Sequence, residues 1–194
     1  RFVSFHPHNV AQKTEVMVEH FRSCVMHRLG GRAKAMVVTG SRMHAVRYKQ
    51  AFDRYVAEKG YDDIGTLVAF SGQVTDDVNP GVTYTEPQMN RHPVSGKPLK
   101  ESELPRAFGG DEYNVLVVAN KYLTGFDQPK LTTMYVDKKL QGVLAVQALS
   151  RLNRCNHKLG KRTEDIFVLD FFNTTDSIKK AFDPFYTATS LSSA

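Results

Sequence analysis

Short apolar runs alternate along the chain with segments whose apolar residues recur at helical spacing. The runs are rich in β-branched residues, bounded by turn residues, and lie at 35–39, 66–70, 114–119, 131–137 and 166–170. Runs of this length and composition are typical of strands that are buried on both faces. The alternation predicts an α/β fold, with a parallel β-sheet covered by helices on both of its faces.

The helical segments have recognisable faces and ends. The first is predicted over about residues 10–29, with Asn9 as its N-cap and Gly30–Gly31 at its end. The second follows Gly40–Ser41 and stops at Gly60. The apolar faces are Met17, Phe21, Cys24 and Val25 in the first helix, and Ala45, Tyr48, Phe52, Tyr55 and Val56 in the second. A third helix is predicted over about residues 143–153.

The stretch 73–110 interrupts this alternation of predicted strands and helices. It is polar, holds five of the eight prolines and has no strong periodic pattern. A segment of that length is unusual inside a compact domain, so it is interpreted either as a functional insertion or as a mobile surface loop. At most a short helix near Glu101–Phe108 is expected within it.

Composition narrows the class of protein. No apolar run approaches the roughly 20 residues that cross a bilayer, which excludes a membrane span. The two cysteines, Cys24 and Cys155, are far apart, as is typical of the reducing cytoplasm, and no histidine or cysteine spacing predicts a bound metal. The net charge of +6 favours a polyanionic partner such as nucleic acid. The start at Arg1, without an initiator Met or signal segment, predicts a piece of a longer protein.

The third helix carries the most specific chemistry. Gln147, Arg151 and Arg154 are separated by four and three residues, so they share one helical face. Arginine offers a planar fork of donors to phosphoryl oxygens, and two forks on successive turns can stabilise charge on a γ-phosphoryl group. Spacing alone favours a simpler alternative, a surface helix with two solvated arginines.

Two further loops follow predicted strands. In the segment Tyr122–Pro129, Gly125 permits close backbone approach and Asp127 can accept a hydrogen bond from a ribose hydroxyl; a plain turn is the alternative. In the segment Val38–Arg42 a strand runs into a helix, whose amides and hydroxyls form a phosphate site. A simple N-cap at Ser41 is compatible with that use.

The order of these segments resembles the second RecA-like motor lobe of superfamily 2 helicases and translocases over about residues 30–172. Val37–Ser41 is similar to motif IV, Val115–Pro129 to motif V and Gln147–Arg154 to motif VI. The amino-acid sequences of these segments, and of the later Val168–Asn173, most resemble the restriction (R) subunit of type I restriction-modification enzymes. Ser150 and Asn153 stand where motif VI usually has glycines, whereas both arginine positions match.

The resemblance implies a role for each candidate residue. Arg154 would be the arginine finger and Arg151 a second γ-phosphate contact. Gln147, Gly125 and Asp127 would bind ATP. The DNA backbone would be contacted by Thr39, Ser41, Arg42 and Thr124.

The resemblance also implies what lies outside the chain. No G-x-x-x-x-G-K-[ST] loop is present, so ATP and Mg²⁺ would be bound in the intact enzyme with a preceding RecA-like lobe, and this segment alone would be inactive. Duplex DNA and the modification and specificity subunits would be its partners. The alternatives are a lobe of another superfamily 2 DNA or RNA helicase, or a non-catalytic nucleic-acid-binding module on a RecA-like fold.

The predicted organisation has three parts. An N-terminal helix at 1–30 leads into a RecA-like lobe at 31–173, which contains the insertion at about 73–110. Residues 174–194 form a tail or the start of a next domain.

Overall fold

The computed structural model describes residues 7–92, 94–122, 126–140, 152 and 157–172. Its strands are β1 Lys34–Thr39, β2 Thr66–Ala69, β3 Gln73–Thr75, β4 Thr83–Thr85, β5 Val115–Val118, β6 Leu131–Asp137 and β7 Phe167–Asp170. Its helices are α1 Pro7–His20, α2 Arg28–Gly31, α3 Arg42–Lys59, α4 Glu86–Met89 and α5 Leu104–Gly109. A π-helical turn, Phe21–Val25, follows α1, and a 3₁₀ turn, Glu101–Glu103, precedes α5.

The main sheet has five strands in the order β2–β5–β1–β6–β7, and every neighbouring pair is parallel. Each of these strands coincides with one of the five apolar runs to within a residue at either end. A parallel order needs a crossover between successive strands, and α3 provides one between β1 and β2. The predicted α/β class is confirmed.

Side chains alternate between two cores, one on each face of the sheet. Ala35 and Val37 of β1 join the core that contains α1 and α3. Met36 and Val38 join the second core, to which α5 contributes Leu104 and Phe108. Because both faces are covered, β5 and the middle of β1, Ala35–Val38, are apolar on both sides instead of alternating with polar residues.

The helix α3 agrees closely with the prediction. Ser41 is its N-cap, since the Ser41 Oγ accepts a hydrogen bond of 3.1 Å from the His44 amide. Tyr48 and Phe52 are fully buried on the predicted face. The helix ends at Gly60, which has a φ of 67°, a left-handed conformation that glycine adopts without steric cost.

The first helix differs from its prediction. It begins at Pro7, so Asn9 lies inside α1 and is not its N-cap. Proline suits the first turn of a helix because an amide at that position has no intrahelical acceptor. The helix widens into the π-helical turn, and Phe21 and Val25 remain buried there, as their spacing predicts.

The stretch 73–110 contains more structure than expected. The short helix near residues 101–108 is confirmed as α5, but the expectation of at most that helix is wrong. An antiparallel hairpin of β3 and β4, and the single turn α4, are also present. The hairpin strands have three residues each and are largely exposed, so they leave no apolar alternation in the sequence.

Candidate functional site

The carboxyl ends of the parallel strands meet at one edge of the sheet. The loops that leave this edge include Gly40–Ser41 after β1, Ser71–Gly72 after β2 and Asn120–Tyr122 after β5. Open parallel sheets bind their ligands at this edge. Two of the sequence-predicted loops, those after β1 and β5, therefore lie on neighbouring strands, because β1 pairs directly with β5.

Thr39 and Ser41 have different surroundings. Thr39 is fully buried, and its hydroxyl donates a hydrogen bond of 2.9 Å to the carbonyl oxygen of Val118 in β5. Ser41 is partly exposed, with its Oγ engaged as the N-cap of α3. At this loop, the surface of the edge is formed by Ser41 and Arg42 and not by Thr39.

Arg42 joins the loops after β1 and β2. It is exposed, and its Nη1 donates to the carbonyl oxygens of Ser71 at 3.2 Å and Gln73 at 2.9 Å. A Cβ at Gly72 would lie 3.4 Å from this Nη1, and Gly72 has a φ of 72°. A guanidinium has five N–H donors, so these two bonds leave donors that can face a phosphate.

Behind the Gly40–Ser41 loop lies a buried histidine. His44 Nδ1 accepts a hydrogen bond of 3.1 Å from the Gly40 amide, and His44 Nε2 lies 3.4 Å from Asp137 Oδ2 at the end of β6. Because Nδ1 is an acceptor, the ring carries a proton on Nε2, facing the carboxylate. The backbone of the loop is thus connected through one imidazole to the end of β6.

Asp137 is the centre of this buried cluster, which we call the Asp137 cluster: Lys13, His44, Tyr48 and Asp137. Its carboxylate is fully buried, accepts a bond of 2.6 Å from the Tyr48 hydroxyl and pairs with Lys13 Nζ at 3.0 Å. Burial acts to raise the pKa of Asp137, but bonds from His44, Tyr48 and Lys13 outweigh it and hold that pKa below its usual range. The sequence analysis placed Tyr48 only on the apolar face of its helix and did not identify the other three residues. The only local signal for the cluster is that His44 and Tyr48 are four apart on α3.

The loop after β5 holds a second ion pair, which is partly buried. Lys121 Nζ donates to Glu86 Oε2 at 2.8 Å and to Glu101 Oε2 at 3.2 Å. Tyr122 has a φ of 64°, and its ring packs 4.8 Å from that of buried Phe126. Of the predicted nucleotide and DNA contacts in this loop, Asp127 is exposed, while Thr124 and Gly125 lie outside the described residues.

The remaining predicted site residues, Gln147, Arg151 and Arg154, also lie outside the described residues, as does the predicted helix over 143–153 apart from Leu152. Leu152 is buried in the second core, as expected for an apolar position of that segment.

Neither a metal site nor a membrane span emerges from the described ranges. Within them, histidine, cysteine, aspartate and glutamate side chains nowhere gather in threes around a space for a cation. The described helices also include none with the length and apolar character needed to cross a bilayer.

Comparison with known proteins finds similarity to subunits of type I restriction enzymes. Residues 95–169 match the family model described as type I restriction enzyme subunit R domain 3. The putative MjaVIIP endonuclease subunit of a type I restriction enzyme from Methanocaldococcus jannaschii is 31% identical over 124 residues, which are 62% of this chain and 12% of that protein. The HindI endonuclease subunit of Haemophilus influenzae is 30% identical over 125 residues, 63% of this chain and 11% of that protein.

Some solved structures superpose on this chain with low sequence identity. The C-terminal domain of the DEAD-box protein Dbp5 has a TM-score of 0.49 and 13% identity, covering 90% of this chain and 80% of that one. The helicase domain of Pyrococcus furiosus Hef has a TM-score of 0.45 and 13% identity, covering 93% of this chain and 28% of that one.

The two kinds of sequence match agree with each other. The family model spans the loop after β5 and the segment that contains Gln147 and Arg154. The aligned residues span only 11–12% of the length of these two relatives. The chain is therefore similar to the endonuclease subunits of type I restriction enzymes, and its residues 95–169 are similar to domain 3 of the R subunit of those enzymes.

Proposed function

We propose that this chain is the C-terminal motor lobe of an ATP-dependent duplex-DNA translocase within a type I restriction R subunit. The observation that carries the proposal is the family match over residues 95–169, because that segment contains both the Thr124–Asp127 loop and the Gln147–Arg154 segment. ATP and Mg²⁺ would bind between this lobe and a preceding RecA-like lobe of the same subunit. The modification and specificity subunits would be its partners in the complex.

In this proposal the arginines complete the ATP site. Arg154 stabilises the charge that develops on the γ-phosphoryl group, and Arg151 contacts the same group. Gln147 orients the nucleotide or the attacking water, while Gly125 and Asp127 contact the nucleotide. Phosphoryl transfer depends mainly on positioning and electrostatic stabilisation, which is chemistry that guanidinium groups supply.

The DNA contact would be made at the loop after β1. Ser41 and Arg42 stand at the surface of the carboxyl edge, at the N-terminus of α3, where amides and the helix dipole favour a phosphate. Thr124 would contribute from the neighbouring loop. Thr39, whose hydroxyl is bonded to Val118, would act by holding β1 against β5 beneath the contact.

The test is the DNA-stimulated ATPase activity of the complete R subunit assembled with its partner subunits. Arg154→Ala is expected to lower turnover by about 10³–10⁵-fold, with ATP binding retained. Arg162→Ala is the matched control, since Arg162 lies in the same matched segment and its side chain is 77% exposed. Turnover unchanged by Arg154→Ala would favour a non-catalytic nucleic-acid-binding module.

A strand-displacement assay separates the proposal from another superfamily 2 helicase. A translocase of this kind is expected to displace a protein block or a triplex-forming strand from duplex DNA without separating the duplex. Efficient separation of an RNA duplex would instead place the chain among RNA helicases.

A further inference from the structure

The segment 73–110, which is interpreted from sequence either as a functional insertion or as a mobile surface loop, is joined to the edge of the main sheet. Asn90, at the end of α4, is buried; its Oδ1 accepts from the Val68 amide at 2.9 Å and its Nδ2 donates to the Val68 carbonyl oxygen at 2.7 Å. Both backbone groups of an edge residue of β2 are thereby satisfied by one side chain. The segment is fixed to the sheet at this point and is not a loosely tolerated surface loop.

From that fixed position α4 directs a carboxylate toward the loop after β5. Glu86 is 1% exposed, and its Oε2 accepts from the Phe70 amide at 2.9 Å and from Lys121 Nζ at 2.8 Å. Among the described residues, Oε1 of the same carboxylate has no hydrogen-bond partner. A buried and incompletely satisfied carboxylate is costly, and such groups are often retained for a reason other than stability.

A second acidic side chain from the same segment completes the contact. Glu101, in the 3₁₀ turn before α5, places Oε2 3.2 Å from Lys121 Nζ. Burial acts to lower the pKa of Lys121, but Glu86 and Glu101 outweigh it and hold that pKa above its ordinary value. Both acidic partners of Lys121 in the described structure therefore come from the segment 73–110.

The residue after Lys121 is held in an unfavourable conformation. Tyr122 has a φ of 64°, which is uncommon for a bulky residue and persists only where the surroundings enforce it. Here Lys121 is fixed on one side by Glu86, and the Tyr122 ring packs on Phe126 on the other. Such conformations concentrate at functional loops, and this one directly precedes the segment that contains Thr124 and Gly125 in sequence.

We propose that Glu86 is a positioning residue for the loop after β5, acting through Lys121, and that Glu101 assists it. In this arrangement the segment 73–110 sets where Asn120–Tyr122 lie at the carboxyl edge, within the Val115–Pro129 segment that resembles motif V. The proposal rests on the proposed motor function for its consequence in catalysis. The geometric claim, that Glu86 fixes the loop, stands independently of that function.

The experiment compares three variants of the complete R subunit in its complex. Glu86→Gln retains an oxygen for the Phe70 amide and removes the charge that holds Lys121. Lys121→Met removes the ammonium group that pairs with Glu86, and it tests the same contact if Glu86→Gln impairs folding. Glu112→Gln is the matched control, because Glu112 is an exposed carboxylate outside this contact.

The first readout is hydrogen exchange at the amides of Asn120–Tyr122 and Phe126–Asp127, which does not depend on motor activity. Glu86→Gln and Lys121→Met are expected to accelerate exchange there, and Glu112→Gln to leave it unchanged. Wild-type exchange in both test variants would overturn the proposal.

The second readout is DNA-stimulated ATP turnover. Displacement of a site by about 1 Å can cost on the order of 100-fold in rate, so Glu86→Gln is expected to lower kcat by about 10- to 100-fold. The KM for ATP is expected to stay within about twofold, since Glu86 makes no contact with the nucleotide in this proposal. A fourth variant that combines Glu86→Gln with Lys121→Met is expected to lose no more turnover than Lys121→Met alone, because the two residues act through one contact. Additive losses would contradict that single contact.

Arg154→Ala in the same assay separates the two proposals. If it abolishes turnover while Glu86→Gln changes neither turnover nor exchange, only the positioning role of Glu86 is wrong. If Arg154→Ala leaves turnover intact while Glu86→Gln still accelerates exchange, the positioning geometry holds and the motor function is wrong.

Discussion

The Tyr48 hydroxyl donates a hydrogen bond of 2.6 Å to the carboxylate of Asp137, 89 residues further along the chain. Through it α3, which begins at the Ser41 cap, is fixed to the carboxyl end of β6. Asp137 also pairs with Lys13 of α1, so two helices on one face of the sheet, α1 and α3, converge on a single buried carboxylate of β6. The position of the Gly40–Ser41 loop depends on this Asp137 cluster, because His44 connects the Gly40 amide to it.

Removing the Tyr48 hydroxyl is expected to destabilise the fold. Tyr48→Phe deletes a buried hydrogen bond to a charged group, which is worth about 1.5–3 kcal/mol of unfolding free energy. Tyr55→Phe is the control, because Tyr55 is only partly buried and Tyr61 also donates to its acceptor, Glu19. Urea unfolding of the three proteins measures the difference; an equal loss in both variants would show that burial of the Tyr48–Asp137 bond adds nothing.

Substitutions at Ser41 separate its capping role from the proposed DNA contact. Ser41→Ala is expected to cost about 1 kcal/mol of stability through loss of the N-cap. Ser41→Asp keeps a capping acceptor and suits the helix dipole, so stability is expected to be retained, while the added negative charge repels a DNA phosphate. Thermal denaturation and DNA affinity of the R subunit are measured together. Unchanged DNA affinity in Ser41→Asp would exclude a phosphate contact at Ser41.

Asn90 is expected to be important for holding the segment 73–110 in place. Asn90→Ala leaves the buried amide and carbonyl of Val68 without partners, at a cost of about 1–3 kcal/mol for each group. Gln88→Ala in the same short helix is the control, since Gln88 is exposed and surface changes are usually within about 0.5 kcal/mol. Denaturant midpoints check the difference, and two similar midpoints would contradict the proposed attachment.

Lys34 is expected to make stability depend on alkaline pH. Burial, followed by the charge of Lys130, lowers the pKa of Lys34 from 10.5 to about 8. Between these values the unfolded chain binds a proton that the folded protein does not, so the unfolding free energy rises with pH over that window. The neutral amine still donates to the carbonyl oxygens of Gly110 and Tyr113.

The comparison with Lys34→Met isolates this effect from other titrating groups. Urea midpoints of both proteins are measured at about pH 7.5 and pH 9.5, on either side of the lowered value. The wild type is expected to gain stability relative to Lys34→Met at the higher pH. A difference that does not change with pH would mean that Lys34 titrates normally in the folded protein.

Much of the fold follows from local sequence patterns. The five apolar runs coincide with the five strands of the main sheet, and their alternation with helices predicted that these strands are parallel. Ser41 and Gly60 were identified as the ends of α3 for the same reason, since caps depend on the residue itself and a few neighbours. These features are decided within about one turn of helix or one strand, a length over which sequence patterns are informative.

Sequence patterns could not show which way the side chain of Thr39 points. Both faces of β1 are covered, so its residues are apolar or buried on either side and the usual alternation that marks an inner face is missing. Only the register of β1 against β5 placed the Thr39 hydroxyl on Val118 instead of at the surface. Likewise, the hairpin of β3 and β4 is too short and too exposed to leave a pattern.

The sequence by itself determined which segments form the strands of the main sheet, where α3 begins and ends, and the order of the segments that resemble motifs IV, V and VI. Each of these features rests on local spacing. The tertiary structure alone decided which charged residues meet. Asp137 is paired with Lys13 across 124 residues and Glu86 with Lys121 across 35, and no local rule selects these partners among the many charged residues of the chain. The physical reason is that a buried charge must be compensated by whichever group the fold brings near it, and that proximity is a property of the packed sheet and helices.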